Sequence, residues 1–573
     1  MTLPAEGVRG VRPRGGSELK PLLLLALPLA FLGLFFFYPL FSILRLSLSA
    51  GSEAQPLPVG AILTPLWFTL WQAVLSTLLT FLVGLPGAYL FARFDFPGKR
   101  LLRALTTLPF VLPTVVVAVA FNALLGPRGW VNLGLMALGG LSVPPIQFVN
   151  TLWAILAAHV FYNTAVVLRI VGNAWAHLDP RLVHAARVLG ASPWRAWREV
   201  TLPLLRPAIL AAMVLVFLFD FSSFGVVLIL GGPRFATLEV AIYTQALHLL
   251  NLPLAAVLSL IQIACTLTLT VIYTRLATRA AVSSAPHAAR EAELRPASPR
   301  QRMAAMLLAG LLLVVLVAPL AALAARSVAR LEPDRGQRTS VSPGLTLAYY
   351  RELFINRREA FFYVPPIAAV RNSLGYAAAT VLISLGLGLP AASALARRFR
   401  YGPHVDALLM LPLGTSAVTL GLGFIVALDT PPFDLRASPL LVPLAHSLVA
   451  LPFVVRTLQP ALAAIPEHLR LAAASLGASP WRVWREVDMP IIARAASVAA
   501  AFAFTISMGE FGATSLVARP EYPTVPVAVF RFLSQPGALN FGQALAMSTL
   551  LMGLTLAGIL VIERLRLPGV GEF

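Results

Sequence analysis

Few side chains in this sequence stand where they could do chemistry. Two carboxylates, Asp220 and Glu510, and two imidazoles, His159 and His446, lie inside long apolar stretches. At bilayer depth an ionisable group costs about 2.5–3.5 kcal/mol on insertion scales, so it faces a bundle interior or a cavity. Two readings are open for the acids: they line a polar path and favour a cationic solute, or they hydrogen-bond to neighbouring helices. The histidines raise the idea of a metal gate, but repeat symmetry alone explains the pair, and packing or hydrogen bonding is the favoured reading. Cys265 is the single cysteine, which excludes a disulfide framework and a Cys-based metal site. No Gly-x-x-x-x-Gly-Lys-Ser/Thr stretch occurs to cradle nucleotide phosphates. With no nucleophile–base pair or ligand cluster either, the chain is expected to be no enzyme and to need no cofactor.

The elements that hold these residues are hydrophobic helices. The sequence is 58% hydrophobic and only 12% charged, against about 25% charged for a soluble domain. Runs of roughly 20 apolar residues, enough to cross a bilayer, recur along its length. The expected fold is an all-α integral membrane protein with about 12 spans, near 22–43, 66–91, 104–125, 152–171, 208–230, 253–275, 303–325, 370–395, 407–428, 439–458, 491–517 and 541–562. The basic start (Arg9, Arg12, Arg14, Lys20) before Leu22–Ile43 reads as the flank of a retained first helix rather than a signal peptide, because the apolar run is too long.

The net charge of +20 does not indicate nucleic acid, because the arginines sit in short clusters between apolar runs. With a cytoplasmic N-terminus, 30 of the 44 Lys and Arg residues fall on the inside, as the positive-inside rule expects. Eight of the remainder lie between Arg326 and Arg371. Both termini are therefore expected in the cytoplasm. The Ala-, Ser-, Pro- and Arg-rich segment 277–302 reads as a cytoplasmic linker between two units, 1–276 and 303–573.

Those units are copies. Ala185–Val200 (AARVLGASPWRAWREV) matches Ala472–Val487 (AAASLGASPWRVWREV) at a separation of 287 residues. The same offset pairs His159 with His446, Pro203 with Pro490, Phe224-Gly225 with Phe511-Gly512, and Thr237 with Thr524. Gly84-Leu85-Pro86 answers Gly388-Leu389-Pro390 at a slightly different offset. An even number of spans separates the copies, so the two six-helix repeats run parallel, with pseudo-twofold symmetry about the membrane normal.

The best-matched stretch is a loop between spans. Asp179-Pro180 signals a helix start, Gly190 a left-handed stop, and Ser192-Pro193 a second start, with that helix expected to end before Pro203. Pro466, Gly477, Ser479-Pro480 and Pro490 repeat the scheme. An interfacial helix with tryptophan among lipid headgroups is one reading. A docking surface needed twice explains why the sequence is kept twice. Ala-Ala, three residues, Gly and a later Leu-Pro or Met-Pro resembles the EAA loop of binding-protein-dependent ABC importer permeases. The resemblance implies that Ala185, Ala186, Gly190 and Pro203, and Ala472, Ala473, Gly477 and Pro490, engage an ATPase. The motif's leading acid is replaced by His184 and Leu471, while Glu199 and Glu486 remain later in the loop.

The same resemblance implies two ATP-binding subunits on the cytoplasmic side, a soluble extracytoplasmic binding protein, and a place in the lipid of a bacterial inner membrane. Fused two-half permeases are most similar to those of ferric-iron and thiamine importers. Trp71-Gln72-Ala73, Phe96-Pro97-Gly98-Lys99, Gly129-Trp130 and the stretch Gly231-Gly232-Pro233 to Ala241-Ile242-Tyr243 look more thiamine-type. A secondary carrier of the major facilitator type also has 12 spans in parallel halves, and Asp95–Arg100 superficially matches its loop signature. That alternative gives no reason for the duplicated loop.

Overall fold

The computed structural model describes residues 19–50, 58–282, 298–331, 344–356, 364–397, 399–429 and 434–565. The basic residues Arg9, Arg12 and Arg14 and linker positions 283–297 lie outside them. The first half consists of α1 (Pro21–Ser49), α2 (Val59–Arg93), α3 (Lys99–Val111), α4 (Thr114–Leu125), α5 (Trp130–Gly139), α6 (Leu152–Ala176), α7 (Pro180–Val188), α8 (Pro193–Phe221), α9 (Leu238–Tyr243) and α10 (Leu252–Val282). The second half follows with α11 (Pro299–Ser327), α12 (Ala348–Glu352), α13 (Ile367–Ala396), α14 (Gly402–Met410), α15 (Ala417–Ala427), α16 (Leu441–Ala463), α17 (Glu467–Ser475), α18 (Pro480–Gly509), α19 (Gly512–Val517), α20 (Val525–Leu533) and α21 (Ala538–Leu565). Among the described residues, 11 helices are long and apolar enough to cross a membrane, or 12 if one bent pair is a single span.

Three expectations need correction. The span at 407–428 is broken rather than straight, and the one expected at 104–125 lies instead at Thr114–Gly139. Pro113 forces Leu112 into an extended conformation (ψ 141°) and separates α3 from α4. Segment 402–414 meets α15 at a 96° bend, where Ser416 caps the new helix. The loop's second helix does not end at Pro203 or Pro490. It runs on into the membrane as α8 and α18, of 29 and 30 residues. A π-turn at Trp197–Thr201, and another at Trp484–Asp488, precedes each proline. Widening the ladder there accommodates a ring that lacks an N–H. The linker is also shorter than expected, since α10 reaches Val282 and a Ser298/Gln301 capping box starts α11.

The halves pack alike. α2 lies on α6 as α13 lies on α16, and α8 packs on α6 and α10 as α18 packs on α16 and α21. Small residues set these approaches: a Cβ on Gly84 would come within 2.8 Å of Val167, and one on Gly388 within 2.5 Å of Val454. The first helix of each half reaches across, α1 onto α13 and α15, and α11 onto α4. One large apolar cluster joins the halves, with Phe121, Phe224, Val418 and Phe511 among its members. Two smaller clusters lie on the side of the repeated loops, around Val167, Trp175 and Leu205 in one half and Val454, Leu462 and Ile492 in the other. The halves thus share one core at one end and hold nearly separate cores at the loop end. Of the Arg326–Arg371 cluster, Arg326 turns inward, 5.4 Å over the Trp130 ring.

Candidate functional site

The two loops fold from local signals. The Asp179 carboxylate accepts the Arg181 N–H at 2.9 Å and starts α7. In the second copy Pro466 takes the cap position without a side-chain bond. Gly190 (φ 89°) and Gly477 (φ 82°) reverse the chain in the left-handed region. The Ala191 and Ala478 N–H groups donate back to the Ala186 and Ala473 carbonyls at 3.0 and 3.1 Å, the closure of a Schellman motif. Ser192 and Ser479 then cap α8 and α18.

The apices are apolar and bare, with Val188 and Leu189 each 87% exposed and Leu476 89%. Stacked indoles flank them, Trp194–Trp197 at 4.9 Å and Trp481–Trp484 at 4.8 Å. Ala185, Ala472, Gly190, Gly477, Pro203 and Pro490 are exposed, and Ala186 and Ala473 partly so. Arg195 and Arg482 pair with Glu199 and Glu486, each at 3.1 Å. The exposed surface is a small hydrophobic knob rimmed by charge.

Each loop is rigidly tied to the membrane interior. Asp220 lies on the same unbroken helix as Pro193, about 40 Å away at 1.5 Å per residue. Glu510 follows directly on the end of α18.

The structure joins the acids to the histidines, a link missed when each was read separately. His159 Nδ1 is 3.3 Å from Asp220 Oδ1, though not aligned as a hydrogen bond, and its Nε2 is 2.7 Å from the Ser223 hydroxyl. Asn163 donates to Asp220 at 2.7 Å, and the Ser76 hydroxyl lies beside the same carboxylate. In the second half His446 lies 2.7 Å from both Ser507 and Thr514, and 3.3 Å from Glu510. Glu510 also accepts the Ala513 and Thr514 N–H groups at 2.8 and 3.0 Å, and the Thr514 hydroxyl, so it caps α19. Hydrogen bonds to a charged group contribute about 1.5–3 kcal/mol each, enough to offset the burial of Glu510. Asp220 is held by fewer.

Between the halves lies a cavity of about 450 Å³. Its wall includes His159, Tyr162, Asn163 and Asp220 from the first half, and Ser416 and Phe511 from the second. Glu510 is not on the wall, although its neighbours Gly509 and Phe511 are. A third acid, Glu239 on α9, does line the cavity; it is 3% exposed and accepts from Gln262 at 3.3 Å. Its signal was a lone carboxylate before the apolar run Val240–Tyr243, too short a stretch to read as a buried helix. Four rings cross the boundary between the halves in series: Tyr243 to Phe224 at 5.3 Å, Phe224 to Phe511 at 5.4 Å and Phe511 to Phe530 at 5.6 Å. Phe224 and Phe511 are equivalent in the repeat, as are Tyr243 and Phe530, so the pseudo-twofold axis passes between the middle pair.

Residues 81–282 match the family described as binding-protein-dependent transport system inner membrane component. The chain is 30% identical over 512 residues to the thiamine transport system permease protein ThiP of Brucella abortus, covering 87% of this chain and 88% of that one. This chain belongs to the binding-protein-dependent ABC importer permeases. The ThiP protein of Escherichia coli K12 is 27% identical, with 82% of this chain and 84% of the relative aligned. A putative 2-aminoethylphosphonate permease protein, PhnU, of Salmonella paratyphi A is 30% identical and matches over 96% of its own length, against 47% of this chain. One half of this permease therefore has the extent of a whole relative, as a fused two-half chain requires. Family membership decides between the two transporter readings in favour of the ABC importer. It makes the chain a multi-pass inner-membrane transport component that works with an ATPase and a substrate-binding protein.

Proposed function

We propose that this permease carries thiamine or a thiamine phosphate inward, with one ATPase subunit docked on each repeated loop and both termini in the cytoplasm. The carrying observation is mechanical. In each half one unbroken helix links the exposed loop to the buried histidine–acid cluster, α8 to Asp220 and α18 to Glu510. Closing two ATPases would draw the knobs at Ala185–Gly190 and Ala472–Gly477 together, while Pro203 and Pro490 sit at the π-turns where each lever enters the membrane. The nearly separate apolar cores on that side would allow the halves to rock about the shared core. Asp220 and Glu510 mark the translocation path, Asp220 at its wall and Glu510 behind it. The units meet at the linker, 1–276 with 303–573, which fixes one permease per two ATPases. The binding protein would deliver solute at the opposite face.

Thiamine is favoured over ferric iron by the names of the aligned relatives and by a cavity wall that combines acids with aromatic rings. The test is uptake into vesicles holding permease, ATPase and binding protein, with labelled thiamine and ferric iron offered separately. ATP-dependent thiamine uptake that is lost on combining Gly190→Pro with Gly477→Pro supports the reading. Proline cannot adopt the positive φ of these positions. Uptake that ignores both substitutions would sink the docking assignment, and uptake of iron alone would sink the solute.

A further inference from the structure

The cavity is lopsided, although the chain that builds it is a repeat. Five of the nine polar first-half residues on its wall are Tyr162, Asn163, Asp220, Glu239 and Thr266. The offset of 287 places Val449, Ala450, Ser507, Pro526 and Gly553 at the equivalent positions of the second half. At these five positions the polar group is shortened or replaced by an apolar residue, and the second half adds only Thr415 and Ser416 to the polar wall, although His446 matches His159 and Glu510 matches Ser223. The backbone nevertheless repeats, and Thr237 and Thr524, just before α9 and α20, remain identical. A passage that only conducted would have no reason to differ between its two sides.

We propose that the cavity is a single, off-axis binding station for an aromatic organic cation, and that Glu239 selects its charge. This rests on the reading of the permease as an importer of a cationic solute. Two carboxylates face the cavity from one side, and no lysine or arginine is among the residues that line it. Asp220 is fully buried, bonded by Asn163 and beside His159 and the Ser76 hydroxyl, with no cation among the residues that line the cavity around it. Glu239 accepts from Gln262 at 3.3 Å and lies beside the Ser416 hydroxyl, so it touches both halves. Tyr162, Phe219, Phe224 and Phe511 supply aromatic surface on the same wall, which attracts organic cations through the ring quadrupole. The volume of about 450 Å³ lies within the range of small-molecule sites. Ser416 begins the helix after the 96° bend. A cation at Glu239 therefore sits at the joint between the halves, where release would accompany their separation.

The experiment uses the permease–ATPase complex in lipid nanodiscs without binding protein, and labelled thiamine as the probe. One thiamine per permease is expected. Glu239→Gln should weaken binding at least tenfold and Glu239→Asp by less than threefold. The neutral hydroxymethylpyrimidine portion alone should bind Glu239→Gln and the parent equally, which separates charge recognition from a folding defect. Two thiamines per permease, or equal thiamine binding by Glu239→Gln, overturns the station. Thiamine uptake by the complete system is measured alongside. Uptake without binding to the permease overturns the station and leaves the importer reading intact. Iron uptake without thiamine uptake removes the solute reading, and the station with it.

Discussion

The histidine clusters of the two halves are built from the same positions and end in different roles. The offset aligns Asp220 with Ser507 and Ser223 with Glu510. In each cluster a histidine contacts one acid and a serine, but acid and hydroxyl have changed places. With the acid at the earlier position, Asp220 faces the cavity and is held by side chains alone, Asn163 and Ser76. With the acid three residues later, Glu510 turns onto the first N–H groups of α19 and is consumed by them. A shift of about one helical turn thus separates a carboxylate that can meet a solute from one that holds a helix.

The largest effect expected from breaking this contrast is structural. Glu510→Ala removes the cap of α19 and one partner of a buried pair, a change that costs about 3–5 kcal/mol. Purified permease should then lose its monodisperse peak in size-exclusion chromatography after mild heating. Asp220→Asn should do the opposite, leaving that peak in place while thiamine uptake falls about tenfold, equivalent to about 1.4 kcal/mol. Equal thermal losses in the two variants would refute the division of roles.

Transplanting the second arrangement into the first half sharpens the comparison. Asp220→Ser combined with Ser223→Glu should give a folded permease whose carboxylate has left the cavity wall, with uptake no better than in Asp220→Asn. Recovery of uptake would show that only the presence of an acid matters, not its position. Phe511→Ala removes one ring from the stack that crosses the axis. An aromatic pair is worth about 0.5–1.5 kcal/mol beyond its buried area, so a modest fall in melting temperature and an ATP-independent solute leak in proteoliposomes are expected. The smallest effect concerns the loops. Arg470 pairs with Asp488 at 2.8 Å, whereas the first half has Val183 and Thr201 at these positions. Arg470→Ala should cost no more than about 1 kcal/mol, and should lower ATPase coupling less than either glycine substitution.

Much of this architecture was legible in the sequence. Span number and the repeat follow from apolar run length and a constant offset. The loops were readable almost residue by residue, because Asp179, Gly190 and Ser192 act on neighbours within a few positions. The fate of Pro203 was not. Proline normally ends a helix by leaving an acceptor without a donor, and nothing local reveals a π-turn that absorbs the defect. The broken span at 402–427 was similarly hidden, since hydropathy averages over a 96° bend.

The sequence by itself determined what depends on short range: the helices, their caps, the turns, and the duplication that repeats the exposed loop. Only the tertiary structure decided which buried groups meet. His159 finds Asp220 from 61 positions away, Glu239 reaches Gln262 and Ser416 on different elements, and Phe224 stacks on Phe511 across the two halves. Apolar periodicity says that a residue is inside the membrane. It does not say toward which neighbour an all-round hydrophobic helix turns it, and that rotation is set by packing against the other half.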